Sequence, residues 1–441
     1  MHKYIKRIAA LLLFIVCFFL INHLFCFLLI DDRESYTRIM MHEMYEQENI
    51  DVLFLGSSHC YRSIVPEIMD REMNVLTFNG GTSSQQPVAS YYLLKEAAKE
   101  HKIDRVYMEL YYDLLRDNKD YQSPTAVYII SDYMKASWNK LQFLWDTGGK
   151  DYLAHGLFYG RREWSKLFEP SSIMKNIRIK NSDTYWNYAY VTAENEAYTG
   201  KGFVYNYEFI KKGEFASKTV FPPIEENAIS DVNKMWLDKM ILFCKKNDIE
   251  LVFYTAPVPD FRLAGCGNYD EFGRQVKHFL EGKDVPYYDF NLCKADFMKM
   301  EDEYFKDDNH LNGNGAEIFS LAFAHFFTDN LSSEEVFWES YEQKLENSEE
   351  RVFGVICEMQ RTEDGTMEAV IEPVTNMEDP PYLAVYKRRE TEENYQLYRE
   401  YSIEKTFKLP ANEYGYIHIY VSGDPESKSF SNDATFYYGS E

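Results

Sequence analysis

The sequence predicts an α/β protein built on a doubly wound parallel sheet, with an aromatic-rich insertion, an N-terminal transmembrane helix and a C-terminal all-β domain. Three observations lead to this prediction. Short apolar runs alternate with amphipathic helical patterns between residues 50 and 330, which is typical of β-α units. Residues 8–30 are almost wholly apolar. From residue 352 the hydrophobic period becomes two, which indicates half-buried strands.

The N-terminal apolar segment is long enough to cross a bilayer once. Residues 8–30 span about 34 Å as a helix, and only Asn22 and His23 interrupt them. Basic residues precede the segment and acidic residues follow it. The positive-inside rule therefore predicts a cytoplasmic N-terminus, with the rest of the chain outside the cell. A cleaved signal peptide is the alternative, although the run is long for one and no small-x-small cleavage site follows.

The sequence divides into consecutive segments of different character. These are a cytoplasmic tip with the transmembrane helix (1–30), a polar helical stalk (31–49), an α/β domain (50–330) interrupted by the insertion (about 116–228), a connector (333–351) and a β-sandwich-like accessory domain (352–441). The insertion is crowded with aromatic residues. We expect these to pack the core of an inserted subdomain, with a platform for stacking glycans as the alternative.

Regular alternation within residues 50–330 defines the elements of the α/β domain. Strands are predicted at 51–55, 74–78, 105–110, 251–255 and 286–290, and helices from Pro66 and at 88–101, 229–246, 270–281 and 316–327. Such strands form a mostly parallel sheet covered by helices on both faces. Ligands bind at the carboxyl ends of the strands of such sheets. In the accessory domain, strands are predicted at 352–360, 367–371, 382–386, 401–409 and 416–421, with a hairpin turn at Asp364-Gly365.

Charge and cysteine content exclude some classes of function. The net charge is -24. The first 30 residues carry +3, which leaves -27 for the remainder and argues against nucleic acid as a partner. Residues 161–180 are locally basic and could meet an anionic polymer, although such runs are usually solvated faces. The seven cysteines show no metal-ligand spacing and no disulfide framework, with Cys266–Cys293 as the one conceivable pair. Neither a metal nor another cofactor is predicted.

Two distant polar stretches supply the parts of an acyl-transfer site. The first strand stops at Gly56-Ser57-Ser58, and Asp307-Asp308-Asn309-His310 follows the last strand. A serine hydroxyl becomes nucleophilic when a neutral imidazole takes its proton, and an aspartate fixes the imidazole tautomer. His59 is an alternative base, and Asp308 is an alternative orienting carboxylate. The two serines could also merely cap the following helix.

These stretches resemble the SGNH/GDSL hydrolase superfamily. The resemblance rests on Asp51-Val-Leu-Phe-Leu-Gly-Ser-Ser-His59, Phe78-Asn-Gly-Gly81 and Asp307-x-x-His310-Leu-Asn. It is nearest to the membrane-anchored branch that includes D-alanyl transfer proteins of lipoteichoic acid modification and exopolysaccharide O-acetyltransferases. The resemblance covers about residues 50–330 without the insertion, and it implies a flavodoxin-like doubly wound sheet.

The resemblance also implies roles for individual residues. Ser58 corresponds to the nucleophile, His310 to the general base and Asp307 to the residue that orients it. The oxyanion hole would use backbone N–H groups of Ser58 and of Gly81 or Gly80. The family's third block usually adds an asparagine, but the matching strand end, residues 108–113, contains none. Asn79 or a tyrosine hydroxyl could take its place.

The function that the sequence predicts is an extracytoplasmic, membrane-anchored serine acyltransferase. The resemblance implies that it moves an acetyl or D-alanyl group through an acyl-serine intermediate onto a hydroxyl of a cell-envelope polysaccharide or teichoic acid. A multi-spanning membrane acyltransferase is the expected partner, because one spanning segment cannot itself deliver an acyl group across the bilayer. The alternatives are an esterase that uses the same site and a non-catalytic binding module of the envelope.

Overall fold

The computed structural model describes residues 2–32, 35–116, 122–210, 224, 227–329, 331–363, 365–410, 413–424 and 432–439, so that Asp364 of the predicted hairpin turn lies outside the described residues. The α-helices are α1 His2–Leu29, α2 Tyr36–Glu46, α3 Ser58–Tyr61, α4 Pro66–Met73, α5 Pro87–Glu100, α6 Tyr112–Leu115, α7 Pro124–Ser131, α8 Trp138–Leu157, α9 Tyr159–Arg162, α10 Pro170–Lys180, α11 Asp183–Trp186, α12 Asp231–Lys246, α13 Asp260–Gly265, α14 Tyr269–Leu280, α15 Gly313–Thr328, α16 Ser333–Val336 and α17 Tyr341–Glu346. Short 3₁₀ helices lie at Trp164–Phe168, Phe290–Leu292 and Asp302–Tyr304. The strands are β1 Val52–Leu55, β2 Thr77–Asn79, β3 Arg105–Glu109, β4 Glu196–Gly200, β5 Phe203–Asn206, β6 Glu250–Thr255, β7 Tyr287–Asp289, β8 Val352–Arg361, β9 Met367–Thr375, β10 Tyr382–Arg389, β11 Gln396–Ser402, β12 Thr406–Leu409, β13 Gly415–Ser422 and β14 Asn432–Tyr438.

The central sheet has the strand order β2-β1-β3-β6-β7, and all its pairings are parallel. This is the flavodoxin-like order of a doubly wound sheet. Every residue of β1 is buried, because α5 and α12 cover one face of the sheet while α4 and α15 cover the other. The predicted α/β fold class is therefore confirmed. The chain order reverses on either side of β1, so the ends of β1 and β3 border the crevice where such folds bind ligands.

Helix α1 is apolar enough to cross a membrane. Its stretch Lys3–Leu29 has a mean hydropathy of 2.7 over its most apolar window. An N-terminal signal sequence can be equally long and apolar, so length and composition are compatible with both interpretations. Asn22, one of the two polar interruptions, accepts a hydrogen bond from the backbone N–H of Tyr159 at 3.0 Å.

The prediction that residues 31–49 form a polar stalk is wrong. Helix α2 contributes Ile39, Met40, Met41 and Met44 to the main hydrophobic core, and each is at most 2% exposed. Helix α2 packs against α5 and against two elements of the insertion, α7 and β4. Burying these four side chains contributes several kcal/mol, so α2 packs as part of the α/β domain.

The insertion folds into helices α7–α11 and the antiparallel hairpin β4–β5. The turn of the hairpin contacts the end of β2, just before the glycine loop (residues 80–84). Asn79 N–H donates to the carbonyl of Lys201 at 2.9 Å. Gly202 has φ +87°, and a Cβ there would lie 1.7 Å from the Asn79 carbonyl oxygen. Only glycine fits both the backbone conformation and the space, so the insertion supports one wall of the site.

The C-terminal strands form two antiparallel sheets, ordered β11-β10-β13-β14 and β12-β9-β8, which share one core. This confirms the predicted all-β character. The predicted strand 401–409 corresponds to the end of β11 and to β12, separated by a turn. Asp260 of α13 forms ion pairs with Lys344 and Arg351 at the junction with the α/β part. All seven cysteines are free thiols.

Candidate active site

Ser58 lies at the carboxyl end of the central strand. The chain leaves β1 through Gly56, whose φ is +151°, and Ser58 is the first residue of α3. Ser57 and His59 on either side are buried, whereas Ser58 is partly exposed. Its Oγ lies 2.8 Å from Nε2 of His310, across 252 positions of sequence. The structure therefore places the predicted nucleophile and base within hydrogen-bond distance.

Asp307 binds the other nitrogen of the His310 ring. Its two carboxylate oxygens lie 3.0 and 3.1 Å from Nδ1, and Oδ1 also accepts the backbone N–H of His310 at 2.8 Å. Burial acts to raise the pKa of Asp307, but the hydrogen bonds and charge of His310 outweigh it and hold that pKa below its ordinary value. An ionised Asp307 accepts a hydrogen bond from Nδ1–H of the neutral ring, which leaves Nε2 unprotonated and directed at Ser58.

Glu109 fixes the turn that presents Ser58. This residue ends β3, is 3% exposed and accepts two hydrogen bonds from Ser57, from the backbone N–H at 3.0 Å and from Oγ at 2.9 Å. Burial raises the pKa of Glu109 to about 7, although the bonds from Ser57 act in the opposite direction. The carboxyl group is thus a buried titratable group directly beneath the nucleophile turn.

The raised pKa of Glu109 makes stability depend on pH. Because the folded protein binds this proton more tightly than the unfolded chain, the stabilisation is complete below about pH 4.5 and is lost as pH rises through about 7. The expected slope is up to about 1.4 kcal/mol per pH unit. We therefore expect Glu109→Gln to gain in Tm relative to the wild type between pH 5 and pH 8. The exposed Glu342→Gln is the matched control, and equal pH profiles for both variants would contradict the assignment.

Gly56 has no room for a side chain. A Cβ there would lie 2.6 Å from Glu109 Cβ and 2.8 Å from Glu109 Oε2, and the positive φ is strained for other residues. We expect Gly56→Ala to destabilise the fold by more than about 2 kcal/mol and to displace the Ser58 turn. Gly273→Ala is the control, since nothing lies within 4 Å of its Cβ position in α14. Urea unfolding of both variants measures the difference, and equal stabilities would refute the steric argument.

His59 stacks beside His310, and neither of its ring nitrogens is bonded to Ser58 Oγ. Its ring lies 4.7 Å from that of His310 and 3.8 Å from that of Tyr111. Its Nδ1 is 3.1 Å from Ser57 Oγ, and its Nε2 is 3.0 Å from Asn309 Oδ1. Burial and the neighbouring His310 lower the pKa of His59. Both ring nitrogens are bonded to groups other than Ser58, so the geometry does not support the alternative that His59 serves as the base.

A second layer of polar residues holds Asn309. Its Oδ1 lies 2.8 Å from the Tyr111 hydroxyl. The buried Arg262 donates to that hydroxyl at 2.5 Å and to Asp113 at 2.6 Å. The loop that carries His310 is in this way tied to the end of β3 and to α13. Such networks order the backbone on which a catalytic group depends.

The predicted oxyanion donors of the glycine loop are engaged within the loop. Gly81 N–H donates to Asn79 Oδ1 at 3.0 Å, and Gly80 N–H donates to the Phe54 carbonyl at 2.8 Å. The Asn79 amide donates to the carbonyls of Cys60 and Ile64. In this structure Asn79 therefore fastens α3 to the loop. The N–H of Ser58 differs, because it opens a helix and has no intrahelical acceptor.

A cavity of about 740 Å³ lies beside the glycine loop. It extends from the end of α1 at Ile30, past Met40 and Tyr133, to Gly81 and Thr82. Its walls mix apolar, aromatic and charged side chains, as is typical of ligand sites. Within the described ranges, no group of three or more His, Cys, Asp or Glu side chains is arranged to hold a metal ion.

The residues that hold this site together are only partly visible in the sequence. The sequence predicts no such role for Glu109, Asn309 or Arg262. It suggests His59 only as an alternative base, and a tyrosine hydroxyl after β3, such as that of Tyr111, only as an oxyanion donor. A charged residue at the end of an otherwise apolar strand was the available signal for Glu109, because such ends line the crevice. Arg262 carries no such signal, since its partner Asp113 lies 149 positions away.

Comparisons with known proteins give the following similarities. No protein-family model and no curated protein matches the chain. A solved structure described as a lipolytic protein of the G-D-S-L family, from Desulfitobacterium hafniense, aligns at 11% identity with a TM-score of 0.31, over 63% of this chain and 99% of that one. A structure described as an acylhydrolase, from Bacteroides fragilis, aligns at 10% identity with a TM-score of 0.30, over 66% of this chain and 95% of that one. A structure described as a GDSL-like lipase, from Bacteroides thetaiotaomicron, aligns at 10% identity with a TM-score of 0.30, over 68% of this chain and 100% of that one.

Proposed function

We propose that this chain is a membrane-anchored extracytoplasmic serine acyltransferase. It moves an acetyl or D-alanyl group through an acyl-Ser58 ester onto a hydroxyl of a cell-envelope polysaccharide or teichoic acid. The observation that carries the proposal is the 2.8 Å contact between Ser58 Oγ and His310 Nε2, with Asp307 on the opposite ring nitrogen. This arrangement activates a serine for attack on a carbonyl group.

The reaction has two steps of the same kind. Ser58 Oγ attacks the acyl carbonyl while its proton passes to His310 Nε2, and the imidazolium then protonates the leaving group as its bond to the acyl carbon breaks. In the second step His310 takes the proton of the acceptor hydroxyl, whose oxygen attacks the acyl-Ser58 ester. The proton returns to Ser58 Oγ as that ester bond breaks. Asp307 stabilises the imidazolium in both steps without taking the proton.

The tetrahedral oxyanion requires fixed hydrogen-bond donors, each worth about 3–4 kcal/mol of barrier. Ser58 N–H at the start of α3 is one donor. Gly81 N–H can become a second only if it leaves Asn79 Oδ1, which lies 3.0 Å away. We therefore propose that acyl-donor binding shifts the glycine loop by a small amount. Asn79→Ala removes the competing acceptor of Gly81 N–H and also the side chain that ties α3 to the loop. We therefore expect this substitution to raise kcat and to lower Tm.

The membrane location follows from α1 and its flanking charges. Lys3, Lys6 and Arg7 precede the apolar stretch, and Asp31 and Asp32 follow it. We propose that the N-terminus is cytoplasmic and that the catalytic domain is extracellular. A multi-spanning membrane acyltransferase would supply the acyl group, and an envelope glycan or teichoic acid would accept it. Protease accessibility of the catalytic domain on intact cells tests the orientation.

An esterase and a transferase would share this site and differ in the acceptor. The test gives the full chain an activated acetyl ester, with and without a soluble polysaccharide acceptor. A transferase should accumulate acyl-Ser58 and release it faster when acceptor is added. Rapid hydrolysis that the acceptor does not change would establish the esterase instead.

A non-catalytic envelope module is the second candidate, and one observation favours it. The N–H groups of Gly80 and Gly81 and the side-chain amide of Asn79 already donate hydrogen bonds within the fold. In this conformation they are not available to an oxyanion. In cells, deletion of the chain and the Ser58→Ala substitution should then differ. If deletion abolishes envelope acylation and Ser58→Ala preserves it, the chain acts by binding alone.

A further inference from the structure

Part of the insertion packs against the outer half of α1. The ring of Phe158 lies 4.8 Å from that of Phe18, and a Cβ on Gly160 would lie 2.6 Å from the Phe25 ring. Polar groups of α10 and of the adjacent 3₁₀ helix cap the final carbonyls of α1. Asn176 Nδ2 donates to the Leu28 carbonyl at 2.8 Å, and Lys180 Nζ donates to the Cys26 carbonyl at 3.2 Å. The N-terminal part of α1 has no such cover.

Beside these contacts the insertion exposes a group of large apolar side chains, which we call the apolar collar. It consists of Leu157, Phe158, Trp164, Leu167, Phe168 and Met174. Trp164 is 62% exposed and Phe168 is 75% exposed. An aqueous surface rarely groups so many large apolar side chains, and such groups mark a surface that contacts something else. In the sequence, the basic residues Arg161, Lys175 and Arg178 lie among or just after the collar residues.

The position of α1 in a bilayer sets the depth of the collar. The hydrocarbon core is about 30 Å thick, which about 20 helical residues cross. If the core begins after Arg7, it ends near residue 27, and Phe18 lies close to its middle. Phe158, which contacts Phe18, then lies within the outer half of the hydrocarbon. Lys180 and Asn176, which cap residues 26 and 28, lie at the outer boundary, where polar side chains are expected.

We propose that the apolar collar is immersed in the outer leaflet of the bilayer around α1, with phospholipid acyl chains as its occupant. This inference rests on the membrane anchoring in the proposed function and adds a second, monotopic contact to it. Aromatic and aliphatic side chains with flanking basic residues are the composition of interfacial elements. The collar holds the catalytic domain against the membrane, which leaves the Ile30 end of the 740 Å³ cavity at the bilayer surface. An acyl donor in the membrane plane could enter there.

The test uses quenching of tryptophan fluorescence by lipids. The full chain is reconstituted into vesicles of phosphatidylcholine and phosphatidylglycerol, with or without bromine on the acyl chains. Trp164→Phe should remove a component that brominated lipid quenches. Trp138→Phe is the matched control. Trp138 is 72% exposed but begins α8. The backbone N–H of the nearby Lys135 donates to the Tyr45 hydroxyl, and Tyr45 lies about 14 Å along α2 from the end of that helix nearer the membrane.

The outcomes separate the collar from the anchor. If Trp164→Phe alone reduces quenching, the collar is in lipid. Brominated lipid could instead quench the fluorescence of both variants as strongly as that of the wild type, while the protein still floats with vesicles at alkaline pH. In that case α1 spans the membrane and the collar does not enter it. If the protein does not float, the anchoring itself fails, and the collar proposal fails with it. Labelling of Ser58 by a fluorophosphonate is independent of all three results.

Discussion

Ser58→Ala is expected to lower kcat for ester cleavage or acyl transfer by about 10⁴–10⁶-fold, because the hydroxyl that forms the covalent intermediate is gone. The fold should be unaffected, since Ser58 Oγ contacts His310 Nε2 and the backbone turn is held by Ser57 and Glu109. Hydrolysis of a nitrophenyl ester by the purified full chain measures the effect. Ser171→Ala, an exposed serine of α10, is the control.

This prediction separates chemistry from scaffolding. A variant that keeps the wild-type Tm and loses activity places the reaction at Ser58. Activity retained by Ser58→Ala would mean that another group performs the reaction. In that case the short contact with His310 would be a feature of packing.

Asp307→Asn is expected to have the second largest effect, about 10⁴-fold in kcat. An amide donates to Nδ1 as readily as it accepts, so the ring proton moves to Nε2 and can no longer be received from Ser58. The substitution keeps the shape of the side chain, and the loop should keep its conformation. The pH dependence of kcat, measured from pH 5 to 9, distinguishes this loss from a change in folding.

Asp308→Asn is the matched comparison for Asp307→Asn. The neighbouring carboxylate was an alternative partner of His310 in the sequence, but the structure places Asp307 against Nδ1 at 3.0 Å. We expect Asp308→Asn to keep a rate close to that of the wild type. A larger loss in Asp308→Asn than in Asp307→Asn would reverse the assignment of the two carboxylates.

Local patterns in the sequence predict the sheet and the positions of Ser58, Asp307 and His310. An apolar run that ends in Gly56-Ser57-Ser58 can hardly place its serine anywhere except at the strand end, because parallel strands are buried and their carboxyl ends share one edge. Asp307 and His310 come after the last strand, so they reach the same edge. Their spacing of three residues lets one side chain bond the other within a single turn.

The parts that sequence reasoning missed depend on contacts between distant segments. Helix α2 reads as polar, yet α7 and β4 of the insertion bury Met40 and Met44. The second predicted strand began at Asn74, which instead adopts a left-handed conformation at φ 53° and ends α4. The internal hydrogen bond between Gly81 and Asn79 depends on how the loop closes. Residue types alone do not determine such closures.

The measurement that most directly tests the acyl-serine account is covalent labelling of the full chain with a fluorophosphonate, followed by peptide mass spectrometry. The account predicts an adduct on Ser58 that is absent in His310→Ala, because the hydroxyl reacts only when the imidazole takes its proton. No adduct on folded wild-type protein, or equal labelling of Ser58 in His310→Ala, would contradict it.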